Sequence, residues 1–164
     1  MTYLGTLGGS FSLATAINDS GQVVGNAWVD GSEHAFMYAN GIMVDLGTLG
    51  GRRSFANAIN ASGVVVGNSN DIADFDYFAF IYESGVMTDL NSLVDSTQGW
   101  TLHSATGVND SGQIAAYGCR DGECGALLLS LMVSEVPEPG SMSLLLAGLG
   151  LVGWRRANAA YRRA

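Results

Sequence analysis

The feature that most constrains this chain is a phrase of related sequence that occurs three times, at positions 14–25, 56–67 and 105–116. In each copy a short apolar stretch ends at an asparagine (Asn18, Asn60 or Asn109), and a Ser-Gly pair then leads into a second apolar stretch. A sequence that repeats at a fixed period builds a repeated structural unit. The asparagine and glycine positions are typical of a tight turn, so each phrase predicts two strands joined as a hairpin.

A second phrase, Leu-Gly-Thr-Leu-Gly-Gly, sets the length of the repeat. It begins at Leu4 and again at Leu46, and a degenerate form begins at Leu90. The intervals of 42 and 44 residues are in the range of a four-stranded propeller blade. We therefore divide a repeat region, residues 1–133, into copies spanning about 4–46, 46–90 and 90–131, the last of them degenerate.

Each copy is predicted to contain four short strands. Asp30-Gly31 and Asn40-Gly41 are strong hairpin signals in the first copy, and Ser84-Gly85 occupies the place of the latter in the second copy. The strands are apolar along their whole length, as expected of sheets covered on both faces. In the first copy we predict strands at residues 14–18, 22–27, 34–39 and 43–46.

The predicted fold is all-β, most consistent with a partial β-propeller of three four-stranded blades followed by a C-terminal apolar helix. A β-solenoid or a stack of hairpins is the alternative. Closed propellers use about four to eight blades, so we expect the missing blades either upstream or in a second chain. The chain starts within repeat sequence and has no signal-peptide pattern there, which favours an origin in a longer reading frame. The third copy is expected to be an atypical cap.

Charge is distributed unevenly and excludes several functions. All 15 acidic residues precede Gly140, whereas four of the seven arginines follow it, and lysine is absent. An acidic repeat region has no electrostatic footprint for nucleic acid, so no nucleic-acid partner is expected. The absence of lysine excludes a P-loop lysine and a Schiff-base nucleophile.

The two cysteines, Cys119 and Cys124, flank the turn-forming tetrapeptide Arg-Asp-Gly-Glu. In an exported protein this spacing predicts a disulfide across a hairpin, whereas in a reducing compartment the residues would be free thiols. A metal site is disfavoured because no second cysteine or histidine pair accompanies them.

The remaining polar residues give weak signals for a metal or a catalytic site. Asp71, Asp74 and Asp76 cluster in one insertion, but the segment lacks the glycine and terminal glutamate of an EF-hand, which favours a solvated acidic loop over a calcium site. The histidines are His34 and His103, and no nucleophile elbow is present. We therefore predict no enzyme activity, no catalytic residue and no cofactor.

The repeat phrases resemble the HAF family of extracellular repeats. The resemblance covers residues 4–131 and includes the triplet His34-Ala35-Phe36, after which that family is named. It implies an exported bacterial protein and carries no activity with it. The second copy has Phe78 in the place of the histidine, which weakens any ligand role for His34.

The C-terminal tail resembles a PEP-CTERM sorting signal. Residues 134–140 form a linker with the triplet Pro137-Glu138-Pro139, residues 141–156 an apolar segment ending in Arg155 and Arg156, and residues 157–164 a predicted cytoplasmic tail. The resemblance implies that an exosortase recognises the triplet while the apolar helix holds the protein in the inner membrane. Arginines beside an apolar segment favour the cytoplasmic side. The apolar run at 142–154 would span about 20 Å as a helix against a hydrocarbon core of about 30 Å, which suits transient retention.

Together these patterns predict a non-enzymatic protein of the cell surface or extracellular matrix. It would be exported, anchored transiently at the inner membrane and sorted by an exosortase, with exopolysaccharide as a candidate partner. The alternative is a propeller that binds or degrades polysaccharide through its blade-connecting loops. Two buried carboxylates facing one cleft would favour the enzymatic form of that alternative.

Overall fold

The computed structural model describes residues 1–73 and 75–130 and shows an all-β protein with three antiparallel sheets, which confirms the predicted fold class. Sheet 1 contains four strands in chain order: β1 (Ser12–Ile17), β2 (Val23–Val29), β3 (Ser32–Ala39) and β4 (Ile42–Asp45). Sheet 2 contains β5 (Ser54–Ile59), β6 (Val65–Asn70), β7 (Tyr77–Glu83) and β8 (Val86–Asp89). Sheet 3 contains β9 (Thr101–Val108), β10 (Gln113–Arg120) and β11 (Glu123–Ser130).

Helical structure in the described residues is limited to two 3-10 turns between β8 and β9, at Leu90–Ser92 and Ser96–Gln98. Asp89 caps the first of these turns, because its carboxylate accepts a hydrogen bond from the N–H of Asn91 at 2.8 Å. In the same ranges, 1–73 and 75–130, no helix is long and apolar enough to cross a membrane. The apolar helix predicted at 141–156 lies outside the described residues.

The hairpin turns follow the predicted chemistry. The four two-residue turns each place a left-handed residue before a left-handed glycine, which is the type I′ geometry that matches the twist of the strands. Their first residues are Asp30, Asn40, Ser84 and Asp121, with φ values of 47°, 53°, 53° and 52°. Local sequence therefore determines where these hairpins form.

The sheets pack face to face in sequence order, and the first strands of sheets 2 and 3, β5 and β9, lie on the preceding sheet. Between sheets 1 and 2, Val24 and Ala35 meet Ala56, Ile59 and Val65 in one apolar cluster. A second cluster joins sheets 2 and 3 in the same way, with these buried members: Val66, Ala79, Ile81, Leu90, Leu102, Ala105, Ile114 and Ala116. Corresponding positions of successive copies therefore build both interfaces.

Equivalent strands of the three copies differ in how far they are buried, although their sequences are related. Burial on both faces was predicted from continuously apolar strands; strand β6 of the middle sheet is buried on both faces although its second half, Asn68-Ser69-Asn70, is polar. In sheet 3, by contrast, buried and exposed residues alternate along β10, so only the face toward sheet 2 is covered. The third copy was expected to be a cap, yet Tyr117 and Leu128 on its outer face are 46% and 68% exposed, whereas a capping repeat has a polar outer face.

Two details of the predicted architecture stand differently in the structure. Strand bounds shift by up to two residues, as at β1, which spans Ser12–Ile17 where 14–18 was predicted. Within the described residues sheet 3 has three strands where four were predicted, and the residues that follow β11 lie outside the described part of the chain. Three consecutively packed sheets are consistent with propeller blades, and closure into a ring is not seen in residues 1–73 and 75–130.

Candidate functional site

The three-fold repeated turn is the most elaborate polar feature of the described chain. In each copy the asparagine carbonyl accepts from the glycine N–H three residues later, as in a type I turn, and the glycine has a positive φ. The same asparagine's Oδ1 accepts a second hydrogen bond from the N–H four residues later. These bonds measure 3.0 Å at Asn18, 2.9 Å at Asn60 and 2.9 Å at Asn109. Each asparagine therefore fixes its own turn.

The turn asparagines also connect the sheets, which the sequence did not predict. Asn18 donates from Nδ2 to the main-chain carbonyl of Asn60 at 2.9 Å, and Asn60 donates likewise to Asn109 at 3.2 Å. The three turns thus form a ladder of side-chain amides that runs in one direction along the stack. Asn60 is only 7% exposed, and the hydrogen bonds of its amide in this ladder explain why a polar side chain is tolerated there.

A second ladder runs beside the first, at a bulge in the opening strand of each sheet. Pairing of β1 with β2 skips Thr15, and pairing of β5 with β6 skips Asn57. The skipped residues donate across the interface: Thr15 Oγ1 to the Ala56 carbonyl at 2.7 Å and Asn57 Nδ2 to the Ala105 carbonyl at 2.8 Å. A bulge can redirect a side chain in this way. The middle residue of the recurring Ala-x-Ala pattern is polar, and this was the sequence signal that could have indicated the second ladder.

Two grooves open at this end of the sheets. A groove of about 240 Å³ lies over the asparagine ladder and is lined by Asp19 and Asp110 in addition to the asparagines. A neighbouring groove of about 180 Å³ lies between sheets 2 and 3 and includes Glu83. Asp110 is engaged structurally, because its Oδ1 accepts from the N–H of Ala61 at 2.8 Å. The grooves are shallow features between repeats, and the turn asparagines of the ladder contribute to the lining of both.

The structure does not bring the two histidines together in a shared arrangement with a nucleophile. His34 pairs through Nδ1 with Asp45 Oδ2 at 2.8 Å, on adjacent strands of sheet 1. His103 lies between sheets 2 and 3, where its Nδ1 is 3.1 Å from the carbonyl oxygen of Tyr77. Its ring also packs 6.3 Å from the Tyr117 ring. The hydrogen-bonding contacts of His34 and His103 therefore connect strands of the fold.

The acidic loop has a local role in the part that is described. Asp71 accepts a hydrogen bond from the N–H of Ala73 at 3.0 Å, and Asp76 is exposed. Asp74 lies outside the described residues. Among residues 1–73 and 75–130, no group of three or more His, Cys, Asp or Glu side chains could hold a metal ion.

The pKa of the Asp95 carboxyl group is lowered by hydrogen bonds from a neighbouring residue. Asp95 accepts hydrogen bonds from the Thr97 hydroxyl at 2.6 Å and from the Thr97 N–H at 2.9 Å. The hydroxyl bond first, and then the N–H bond, lower the pKa of Asp95 below its ordinary value because they stabilise the charged form. The group is exposed and directly precedes the 3-10 turn Ser96–Gln98, so this arrangement caps the start of that turn.

Cys119 and Cys124 form a disulfide between the paired strands β10 and β11, directly beside the Asp121-Gly122 turn. Their Cα atoms are 4.0 Å apart. Both cysteines lie on the outer face of sheet 3, since the alternate residues Ile114 and Ala116 face sheet 2.

The predicted sorting residues, Pro137, Glu138 and Pro139, and the membrane-orienting pair, Arg155 and Arg156, lie outside the described residues. Comparison with protein families finds a match at this tail: residues 135–157 match the family model described as the PEP-CTERM protein-sorting motif. The match implies export, membrane processing and recognition by an exosortase. It covers the tail alone, so it does not describe the repeats.

Comparison with curated proteins and with solved structures finds no match for this chain.

Proposed function

We propose that this chain is a non-enzymatic repeat protein of the cell surface or extracellular matrix, which a C-terminal signal delivers to an exosortase. The observation that carries the proposal is the PEP-CTERM motif at residues 135–157. Export and sorting follow from the motif itself. The role of the repeats as a HAF-type structural module, and their arrangement as propeller blades, are our inference from their sequence and packing.

The sorting mechanism assigns a role to each part of the tail. The triplet Pro137-Glu138-Pro139 is the element that the exosortase recognises. The apolar segment at 141–156 holds the chain at the inner membrane before processing, and Arg155 and Arg156 keep its end on the cytoplasmic side, because arginine is retained there during insertion. A short apolar run gives a weak anchor, which suits a segment that is removed or transferred.

The distribution of polar groups supports a non-enzymatic role over polysaccharide hydrolysis. Glycoside hydrolysis uses a pair of carboxyl groups that flank the bond, one of them commonly in an environment that raises its pKa. In residues 1–73 and 75–130 every aspartate and glutamate is exposed or half-buried. The buried polar side chains there are asparagines and serines: Asn26, Ser54, Asn60, Ser69 and Asn70. They lie in the strands and turns of the sheets, and the Oδ1 atom of Asn70 has no hydrogen-bond partner among the described residues.

The export environment agrees with the chemistry of the repeat region. A disulfide such as Cys119–Cys124 persists in oxidising compartments and is rare in reducing ones. The repeat region would therefore be oxidised after translocation.

The decisive experiment replaces Pro137, Glu138 and Pro139 with alanine in a bacterium that carries an exosortase system. We expect the variant to accumulate unprocessed in the membrane fraction, while the unaltered chain is processed and leaves it. A control variant, Asp19→Ala with Ser20→Ala, changes an exposed turn and leaves the tail intact, and it should be processed normally. Unchanged mass and fractionation of the triplet variant would contradict the proposed sorting role.

A further inference from the structure

The two interfaces between sheets use opposite faces of each sheet. We call the face that receives the preceding sheet the leading face; in sheet 2 it carries Ala56, Ile59 and Val65. We call the opposite face the trailing face; in sheet 1 it carries Val24 and Ala35. In both interfaces of the described chain, a trailing face packs on the leading face of the next sheet.

The leading face of sheet 1 is apolar and uncovered in the described chain. Ile17 is 67% exposed, whereas Ile59 at the same position of sheet 2 is 9% exposed. Ala14 is exposed, whereas its counterpart Ala56 is fully buried. The local sequence of the two strands is nearly the same, so the difference comes from the presence of a neighbouring sheet at Ile59.

The trailing face of sheet 3 is uncovered in the same way. Leu128 is 68% exposed, whereas Ile81 at the equivalent position of sheet 2 is 5% exposed. Ala115 is exposed, whereas its counterpart Val66 is fully buried. One chain therefore presents both halves of its own repeat interface, each with apolar side chains at the contact positions.

The hydrogen-bonding groups at the two uncovered faces are also complementary. Thr106 is skipped in the pairing of β9 with β10 and occupies the place of Thr15. Its hydroxyl donates to the Ala115 carbonyl of its own sheet. The equivalent contact of Thr15 within its own sheet is to the Val24 carbonyl. The single hydroxyl proton of Thr15 is shared with the next sheet, where the Ala56 carbonyl oxygen lies closer, at 2.7 Å. Asn109 likewise occupies the donor position of Asn60 on the ladder.

The acceptors for these donors lie on the leading face of sheet 1. They are the main-chain carbonyls of Ala14 and Asn18, the counterparts of the Ala56 and Asn60 carbonyls that accept bonds from sheet 1. Two leading faces would bring these carbonyls together without the Thr106 and Asn109 donors. The chemistry therefore favours contact between a leading face and a trailing face.

We propose that this chain self-associates head to tail, with the trailing face of sheet 3 bound to the leading face of sheet 1 in a second copy. The contact reproduces the interface found twice within the chain: Leu128 packs beside Ile17, and Thr106 and Asn109 donate to the Ala14 and Asn18 carbonyls. Two copies joined at both faces contain six sheets, which is within the range of about four to eight blades in closed propellers. Head-to-tail contacts form rings when the rotation between copies closes.

The test is the mass of the full chain, measured by light scattering in mild detergent with the detergent contribution subtracted. We expect two chains of 17.1 kDa in one particle. Ile17→Glu disables the leading face and Leu128→Glu the trailing face, so each variant alone should have the mass of one chain. Val86→Glu, at a residue 61% exposed on β8, is the matched control and should retain the mass of two chains.

An equimolar mixture of the two disabled variants distinguishes head-to-tail contact from other pairings. The mixture retains one intact interface, between Leu128 of the first variant and Ile17 of the second, so particles of two chains should reappear. Circular dichroism checks that each variant is folded. A single-chain mass for the unaltered protein would overturn the proposal, as would two-chain mass in either variant alone or the absence of recovery in a mixture of folded variants.

Discussion

Replacement of Asn60 with alanine is expected to destabilise the repeat region more than the same replacement at Asn109. The side chain of Asn60 makes two hydrogen bonds that alanine removes, one accepted from the Val64 N–H at 2.9 Å and one donated to the Asn109 carbonyl at 3.2 Å. The bond from Asn18 goes to the main-chain carbonyl of residue 60 and would survive. The substitution therefore removes one turn bond and one bond between sheets 2 and 3.

The size of the effect follows from burial. Each hydrogen bond contributes about 1 kcal/mol net, and a donor left unsatisfied away from water costs about 1–3 kcal/mol. Asn60 is 7% exposed, so water replaces its bonds poorly, and we expect the free energy of unfolding to fall by about 2–4 kcal/mol. Asn109 makes the equivalent turn bond but is exposed, so its loss should be about 1 kcal/mol or less.

The assay is urea denaturation followed by far-UV circular dichroism, with both replacements made in the full chain carrying Leu128→Glu, so that no second copy binds at Asn109. A lower midpoint with an unchanged slope indicates a loss of stability without a change in the unfolded chain. Both variants lose a turn bond; Asn60→Ala also loses a buried bond to sheet 3, whereas Asn109→Ala also loses an exposed bond to the Gln113 side chain. Equal losses for Asn60→Ala and Asn109→Ala would refute the reasoning that the ladder stabilises the stack.

Three further predictions concern other features of the described chain. Gly67→Ala should lower the free energy of unfolding by about 3 kcal/mol or more, because a Cβ at Gly67 would overlap the Phe55 carbonyl oxygen. A Cβ at Gly125 meets no atom within 4 Å, so Gly125→Ala should be nearly neutral in the same denaturation experiment. Reduction of the disulfide between β10 and β11 should lower the free energy of unfolding by about 2 kcal/mol, because the disulfide closes a short loop. Urea denaturation with and without dithiothreitol measures this loss, and equal midpoints would contradict the prediction. Thr97→Val should raise the pKa of Asp95 toward its ordinary value, since the hydroxyl bond is the main cause of its lowering. In the unaltered chain, the stabilising effect of the pair is present above the unfolded-state pKa and is lost as the pH falls through the folded-state pKa. An unchanged carboxyl NMR titration in the variant would contradict this assignment.

Much of the local structure could be predicted because it depends on short-range chemistry. The Asn40-Gly41 and Asp30-Gly31 pairs specify type I′ turns through residues that tolerate positive φ, and the apolar stretches on either side then pair as strands. Burial could not be predicted in this way. Ile17 and Ile59 have almost the same neighbours in sequence, yet they differ in exposure because only one of them has a packed sheet above it.

The connections between sheets were the least predictable part of the site. The turn role of Asn60 follows from its sequence context, but its bond to Asn109 depends on how two distant segments stack. A bulge adds one residue whose effect on side-chain direction appears only when strand register is known, as at Asn57. The sorting tail was recognisable for the opposite reason, since its Pro-Glu-Pro triplet, apolar run and arginines follow one another in the chain.

The one-way ladder has a consequence for how such a protein can grow by gene duplication. Its donors are side chains, but its acceptors are main-chain carbonyls, which every residue type possesses. A newly duplicated copy can therefore dock on its predecessor at once, and the bond that a residue receives makes no demand on the side chain of that residue. Asn57 bonds to the third copy even though that copy has lost much of its resemblance to the others. Copy number could thus change quickly during evolution while sequence identity between copies decays.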